Sequence, residues 1–145
     1  MRILWIAVPL AVLAFAVRAE RVDIPPAGLK KLATHIVVGD VKAVYSRSEQ
    51  KGRYEYTHHV AEVRVKTVEK GEGLAANGLV YVRYWRKHWI AASAPPPGTA
   101  GHRGLPKQGE TLRIYLARNK YDGATKDNND GGFNVVFPNG FERIS

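Results

Sequence analysis

The strongest constraint on the fold of this chain is a pair of β-type runs between residues 54 and 85, separated by a glycine-rich break. The first run alternates small or apolar residues with charged ones, in the order Ala61, Glu62, Val63, Arg64, Val65, Lys66 and Thr67. A two-residue repeat of this kind puts apolar groups on one face of a strand and charges on the other. The second run, residues 79–85, is rich in β-branched and aromatic side chains that fit a pleated sheet. With three glycines in residues 69–78 to reverse the chain, the pair predicts a small antiparallel β domain.

Three further strands are predicted on either side of this pair, at residues 35–45, 111–118 and 133–137. Gly39 lies inside the first of them, and a glycine within a strand marks a bulge or a sharp bend. Within residues 54–68 the apolar positions change from even to odd numbers, which predicts another bulge near residues 59–61.

The connections differ in length. Residues 46–53 are polar and predict a loop, and residues 141–145 predict a tail or a short edge strand. Residues 88–110 have no periodicity, and a connection of that length in a small domain is functional or disordered.

Long, bent strands predict a small five-stranded antiparallel barrel of the OB type, formed by residues 35–145 as a single domain. Residues 20–34 are expected to be a lead-in segment, in which Pro25 and Pro26 hold the chain extended before one helical turn at residues 29–33. An immunoglobulin-like β-sandwich is the alternative fold, and it is disfavoured because it needs about seven strands.

Three short motifs resemble secreted OB-fold domains of the netrin-like and metalloproteinase-inhibitor-like group. They are residues 36–41, with Gly-Asp-Val at their end, residues 63–71, ending in Lys-Gly, and residues 109–116, beginning with Gly-Glu. The resemblance covers residues 35–118 and implies the OB fold. Eukaryotic members of that group carry an N-terminal cysteine and several disulfides, whereas this chain has no cysteine. The resemblance therefore implies a fold and no functional residue.

Residues 1–19 predict a secretory signal peptide. A basic start at Arg2 precedes the apolar residues 3–17, and Val17 and Ala19 are the small residues before the expected cleavage site. The apolar run is shorter than the roughly 20 residues that span a bilayer as a helix, and no later segment is apolar enough to do so. We therefore expect an exported protein, periplasmic or secreted, without a transmembrane segment in its mature chain.

The charge of the mature chain would be strongly positive. Loss of Arg2 and Arg18 leaves 20 of the 22 Lys and Arg residues against 13 Asp and Glu, a net charge of +7 with His neutral. Such a surplus favours polyanions and anionic surfaces. The lack of cysteine excludes disulfides, thiolate metal sites and a Cys nucleophile, so an apolar core must hold the domain together.

The most unusual cluster is residues 83–89, Arg-Tyr-Trp-Arg-Lys-His-Trp. In a strand, every second one of these residues lies on the same face, and rings interleaved with cations can stack on bases or sugars while they neutralise phosphate or sulfate. The long connection after the strand adds a histidine and an arginine. The predicted ligand-binding residues are Arg83, Trp85, Lys87, Trp89, His102 and Arg103. The alternative is that the tryptophans cap the barrel and the charges are only solvated.

No catalytic, metal or cofactor site is predicted. Neither a Gly-x-Ser-x-Gly nor a His-Glu-x-x-His motif occurs, and His58 and His59 point to opposite faces of a strand. Residues 127–132 lack the ligand spacing of a calcium loop and predict a turn. The leading hypothesis is an exported, non-enzymatic binding module whose partner is a protein or a polyanion. The alternatives are polyanion binding, to nucleic acid or sulfated glycan, and a small metal-dependent hydrolase.

Overall fold

The structure is a computed structural model that describes residues 22–120 and 129–144. The elements in chain order are α1 Pro26–Leu32, β1 His35–Lys51, β2 Tyr54–Lys70, β3 Leu79–Trp89, β4 Thr111–Arg118, β5 Phe133–Val135 and β6 Phe141–Arg143. The predicted signal peptide, residues 1–19, lies outside the described residues and stays a prediction. Within the described part of the chain, no helix is long and apolar enough to cross a membrane.

The strands close into a ring. β1 pairs with β2, β2 with β3, β3 with β5, β5 with β4, and β4 with β1 again. These pairings are antiparallel except for the short parallel one between β3 and β5, and β6 pairs with β4. The predicted five-stranded OB-like barrel is therefore confirmed, because a single closed sheet is not the two-sheet arrangement of an immunoglobulin-like sandwich.

The inward-facing side chains of the ring form one apolar core. Its buried members are Val37, Val41, Ala61, Val63, Val65, Val80, Val82, Tyr84, Leu112, Ile114, Leu116, Val135 and Phe141. The odd-numbered small residues of the first β-type run are among them, so the alternation that predicted this strand also gave its buried face. Burial of these side chains is the main stabilising contribution to a domain that has no disulfide.

Gly39 lies at a register shift between β1 and β2, which confirms the bulge predicted there. A Cβ at this position would lie 2.6 Å from the carbonyl oxygen of Arg64, so glycine is what lets the two strands approach so closely. A further shift between Val41 and Ala43 leaves Lys42 as an extra residue of β1. The bulge predicted near residues 59–61 is wrong, because the register of β2 with both neighbours has no shift between Tyr54 and Glu62.

β1 and β2 are longer than predicted. Residues 46–51, predicted as part of a loop, continue β1, and only Gly52 and Arg53 make the turn, with a φ of 60° at Gly52. β1 leaves β4 after Asp40, and β3 leaves β5 after Arg83. The outer parts of these strands therefore project beyond the ring as a three-stranded sheet. We call it the hairpin extension: residues 43–51, 54–62 and 83–89.

The lead-in segment and the long connection both pack on the barrel. α1 begins at Pro26, a position where the missing N–H costs no helical hydrogen bond. Its Leu29 is buried in a second apolar cluster with Tyr115 and Val136, on the outer side of the sheet. In the long connection, Gly101 bridges Arg86, so this part of the segment covers the free edge of β3.

Candidate ligand-binding face

One face of the hairpin extension carries aromatic and charged side chains from three strands. Side chains alternate along a strand, so this face takes every second residue, and the register between strands sets its rows. The rows across β1, β2 and β3 are Tyr45, Val60, Arg83; then Arg47, His58, Trp85; then Glu49, Tyr56, Lys87; then Lys51, Tyr54, Trp89. We call these twelve residues the aromatic–basic face.

Four of the six predicted ligand-binding residues lie on this face. Arg83, Trp85, Lys87 and Trp89 share it, as strand alternation predicts, and each is partly exposed. The register with β2 sets an aromatic or histidine side chain opposite Trp85, Lys87 and Trp89. The predicted cluster therefore gains a second line of rings, which β2 contributes.

The rings contact one another along the face. The ring of Tyr54 meets Trp89 edge-on at 4.9 Å between centroids, and it lies 6.2 Å from Tyr56. Tyr56 lies 6.1 Å from Trp85, which stacks on Phe137 at 5.7 Å. Because such contacts fix the ring orientations in advance, little side-chain entropy remains to be lost when a ligand stacks on them.

Two lysines lie over these rings. The Nζ of Lys87 is 4.3 Å from the ring centroid of Tyr54, and that of Lys51 is 5.8 Å from the ring centroid of Tyr56. Lys51 is also 3.2 Å from Glu49, and this lysine together with His58 holds the pKa of the Glu49 carboxyl below its ordinary value. The ammonium groups are thus held at the ring faces, where an anionic ligand with rings would contact the aromatic rings and the ammonium groups together.

Arg83 is anchored to the connection between β4 and β5. Its guanidinium donates two hydrogen bonds to the carboxylate of Asp130, at 2.7 and 2.9 Å. These bonds, with a further one from the backbone of Gly132, lower the pKa of Asp130 to about 2. The charge of Arg83 is therefore compensated, and its main effect is to hold residues 130–132 against the face.

Two grooves lie at opposite ends of the face. The first, of about 540 Å³, is lined by Tyr45, Ser46, Arg47, His58, His59, Val60, Arg83, Tyr84, Trp85, Asp130 and Asn134. The second, of about 390 Å³, lies where Tyr54, Lys87 and Trp89 meet Pro95 and Pro96 of the long connection. The long connection therefore contributes to the site through its prolines.

The structure does not bring His102 and Arg103 to the aromatic–basic face. His102 is 1% exposed, and its Nε2 donates to the carbonyl of Val135 at 2.8 Å, which leaves Nδ1 to accept the N–H of Trp85 at 3.2 Å. Burial lowers the pKa of His102, so the ring is neutral. Arg103 forms an ion pair with Asp23 beside a separate groove of about 270 Å³.

The sequence reasoning missed the contributions of β1 and β2, namely Arg47, Lys51, Tyr54, Tyr56 and His58. The β2 residues occupy the even-numbered aromatic and apolar positions from 54 to 60, whose change of parity predicts a bulge but which form the second, partly solvated face of a continuous strand. Arg47 and Lys51 lie in residues 46–53, whose polar composition predicts a loop although residues 46–51 continue β1.

Ser46 and His59 form a hydrogen-bonded pair on the opposite face of the hairpin extension. The Oγ of Ser46 lies 2.7 Å from Nδ1 of His59, whose ring stacks on Tyr84 at 4.9 Å. Burial lowers the pKa of His59 and raises that of Tyr84 to about 12. Among residues 22–120 and 129–144, no carboxylate hydrogen-bonds to His59, so the pair lacks the orienting acid of a catalytic triad in the described chain.

No group of three or more His, Cys, Asp or Glu residues that could hold a metal ion occurs in the part of the chain that the structure describes. His58 and His59 point to opposite faces of β2, as predicted.

The comparisons with known proteins add no further assignment, and the resemblance to netrin-like domains stays a prediction. No protein-family model, no curated protein and no solved structure matches this chain.

Proposed function

We propose that this protein is an exported, non-enzymatic binding module that holds an anionic polymer with ring-shaped units on its aromatic–basic face. Single-stranded nucleic acid and sulfated glycans are the polymers with this chemistry. The observation that carries the proposal is the row of rings on β2 and β3 with lysine ammonium groups held over it. The β2–β3 face is also the surface on which OB barrels bind oligonucleotides and oligosaccharides.

The rings supply stacking. Tyr54, Tyr56, Trp85 and Trp89 are partly exposed and follow one another along the sheet. Stacking of a base on an aromatic side chain contributes about 1–3 kcal/mol, and it tolerates any sequence because every base has a π face. A linear polymer lying along the strands would meet these rings in succession.

The charge of the same region supplies attraction. The hairpin extension with its turn, residues 43–62 and 83–89, contains six Lys and Arg residues, Arg47, Lys51, Arg53, Arg83, Arg86 and Lys87, against Glu49, Glu55 and Glu62. This gives a local net charge of +3, within which Arg83 is paired with Asp130. A positive surface of this kind concentrates a polyanion and gives binding that depends on salt.

Export is supported by the leader sequence of residues 1–19. If the leader is removed after Ala19, the mass of the protein recovered outside the cytoplasm corresponds to residues 20–145. A protein recovered only with residues 1–19 attached would contradict this part of the proposal.

The binding proposal is tested by measuring affinity against salt for three polymers: a single-stranded oligonucleotide, heparin and uncharged dextran. The cations that face solvent beside the rings are Arg47, Lys51 and Lys87, so the slope of log K against log salt for the oligonucleotide should be about −2. Dextran should not bind. A preference for heparin over the oligonucleotide would identify sulfated glycan as the source of the anion, and the reverse preference nucleic acid.

Lys87→Gln should reduce the salt slope by about 0.7, because it removes one phosphate contact. Lys31→Gln is the matched control: it makes the same change of charge at an exposed position of α1, away from the face, and should leave the slope unchanged. Failure to bind either anionic polymer, or binding that salt does not weaken, would overturn the proposed function.

A further inference from the structure

The outer edge of β1 in the hairpin extension has no neighbouring strand among the described residues. β1 pairs with β2 as far as Lys51 on one edge, but on the other it pairs with β4 only as far as Asp40. At Val41 the backbone still bonds to Glu110 and Gly109. Beyond the bulge at Lys42, residues 43–51 extend the edge for about 30 Å at about 3.3 Å per residue. An edge of this length is a template for another strand.

The backbone groups that this edge offers can be assigned from the core. Val41 faces the core and turns its N–H and C=O away from β2, to Glu110 and Gly109. In a strand, residues on the same face turn these groups to the same edge. Beyond the bulge, the even-numbered residues of β1 take the inward-facing positions. Val44 packs on the core, and the Oγ of Ser46 is hydrogen-bonded to His59. Ser46, Ser48 and Gln50 therefore direct their N–H and C=O groups to the outer edge.

We infer that a second copy of this chain pairs with the edge, β1 against β1, about a two-fold axis at Ser48. In this antiparallel register Ser48 lies opposite Ser48 of the second copy, and Ser46 opposite Gln50. On the aromatic–basic face, Arg47 lies opposite Glu49 of the second copy. Lys51 lies opposite Tyr45, which is 57% exposed in the single chain. Apart from the Ser48 pair on the axis, each pair occurs twice, as an interface with two-fold symmetry requires.

The charges favour this register over its two neighbours. An axis at Arg47 would place Arg47 opposite itself, and an axis at Glu49 would place Glu49 opposite itself and Arg47 opposite Lys51. Like charges directly opposite each other destabilise a strand pair, whereas opposite charges and cation–ring pairs stabilise it. An axis at Ser48 also uses the whole stretch of residues 45–51. The dimer would join two hairpin extensions into one sheet, with both aromatic–basic faces on the same side.

A single introduced cysteine tests the axis, because the chain has no cysteine of its own. At Ser48→Cys the two copies of the residue would have Cα atoms about 5.5 Å apart, within the range of a disulfide. At Ser46→Cys or Gln50→Cys they would be four residues, about 13 Å, apart. We expect mild oxidation to give a covalent dimer with Ser48→Cys, and with a mixture of the Ser46→Cys and Gln50→Cys proteins, but with neither of these alone.

Charge reversal tests the pairing without a covalent bond. By sedimentation equilibrium, the wild type should have twice the mass of one chain, and Arg47→Glu or Glu49→Arg should each halve that mass. The double variant Arg47→Glu/Glu49→Arg should restore the dimer, because the opposite charges again face each other. Lys31→Glu, on α1, is the control that should leave the dimer intact.

Two results would overturn the inference. One is a wild type that sediments as a single chain at every concentration while Ser48→Cys cross-links no faster than Ser46→Cys. In that case the edge charges act as protection against strand pairing. The other is a double variant that sediments as a single chain although the wild type is a dimer. Polymer binding is tested separately through Lys87, which lies on β3 and takes no part in this pairing.

Discussion

Replacing Gly39 with alanine tests whether the close approach of β1 and β2 shapes the barrel. An added Cβ would lie 2.6 Å from the carbonyl oxygen of Arg64 and 2.6 Å from a methyl group of Val63. The carbonyl belongs to the backbone of β2, so the strands must move apart. Overpacking of this kind costs about 1–3 kcal/mol, and alanine recovers about 0.4–1 kcal/mol by restricting the unfolded chain. We expect a net loss of about 1–2 kcal/mol in the free energy of unfolding.

The assay is urea unfolding of the wild type, Gly39→Ala and Gly39→Val, followed by circular dichroism. The midpoint should fall in the order wild type, alanine, valine, with little change in the slope, because the change affects stability rather than the surface exposed on unfolding. Strand propensity alone predicts the reverse order, since valine is favoured and glycine disfavoured in strands. If either variant matched or exceeded the wild type in stability, the steric argument for Gly39 would be refuted.

Two further predictions concern ionisation. Burial holds the pKa of His102, and also that of His59, below the ordinary value of 6.5. The unfolded chain therefore binds protons that the folded chain does not, and the free energy of unfolding should decrease as the pH falls below about 6.5. His102→Gln should make this decrease shallower in urea titrations at several pH values, and an unchanged pH dependence would contradict the buried neutral ring. Arg83→Gln should raise the pKa of Asp130 from about 2 towards 3.8, as measured by carbon NMR of the carboxyl groups. A value that stays near 2 would show that Arg83 is not the cause.

Each strand of the barrel could be predicted from the sequence where one face of that strand is buried. β4 occupies residues 111–118, as predicted, because Leu112, Ile114 and Leu116 alternate with more polar neighbours and a Gly-Glu pair precedes them. The hairpin extension could not be predicted in the same way. Residues 46–51 have no apolar face, since neither side of this sheet covers the core, and a strand of this kind has the composition of a loop.

The candidate site was predicted as far as one strand determines it. Alternation alone puts Arg83, Trp85, Lys87 and Trp89 on one face. Which residues lie beside them depends on the two-residue turn after Lys51 and on the extra residue at Lys42, which set the register of three strands. Local sequence does not fix these long-range features.

His102 shows the corresponding limit for single residues. A histidine between glycines in a basic loop has the sequence context of a ligand-binding group. In the structure it is a buried bridge between the backbones of Trp85 and Val135. Only the pairing of the long connection with β3 determines that role.

Intrinsic tryptophan fluorescence tests the central claim most directly. In residues 20–145 the tryptophans are Trp85 and Trp89, and both lie on the aromatic–basic face. Titration with a single-stranded oligonucleotide or with heparin at low salt should quench or shift their emission to saturation, and added salt should reverse the change. Emission that stays constant while binding of either polymer is detected by another method would place the binding surface elsewhere and contradict the account.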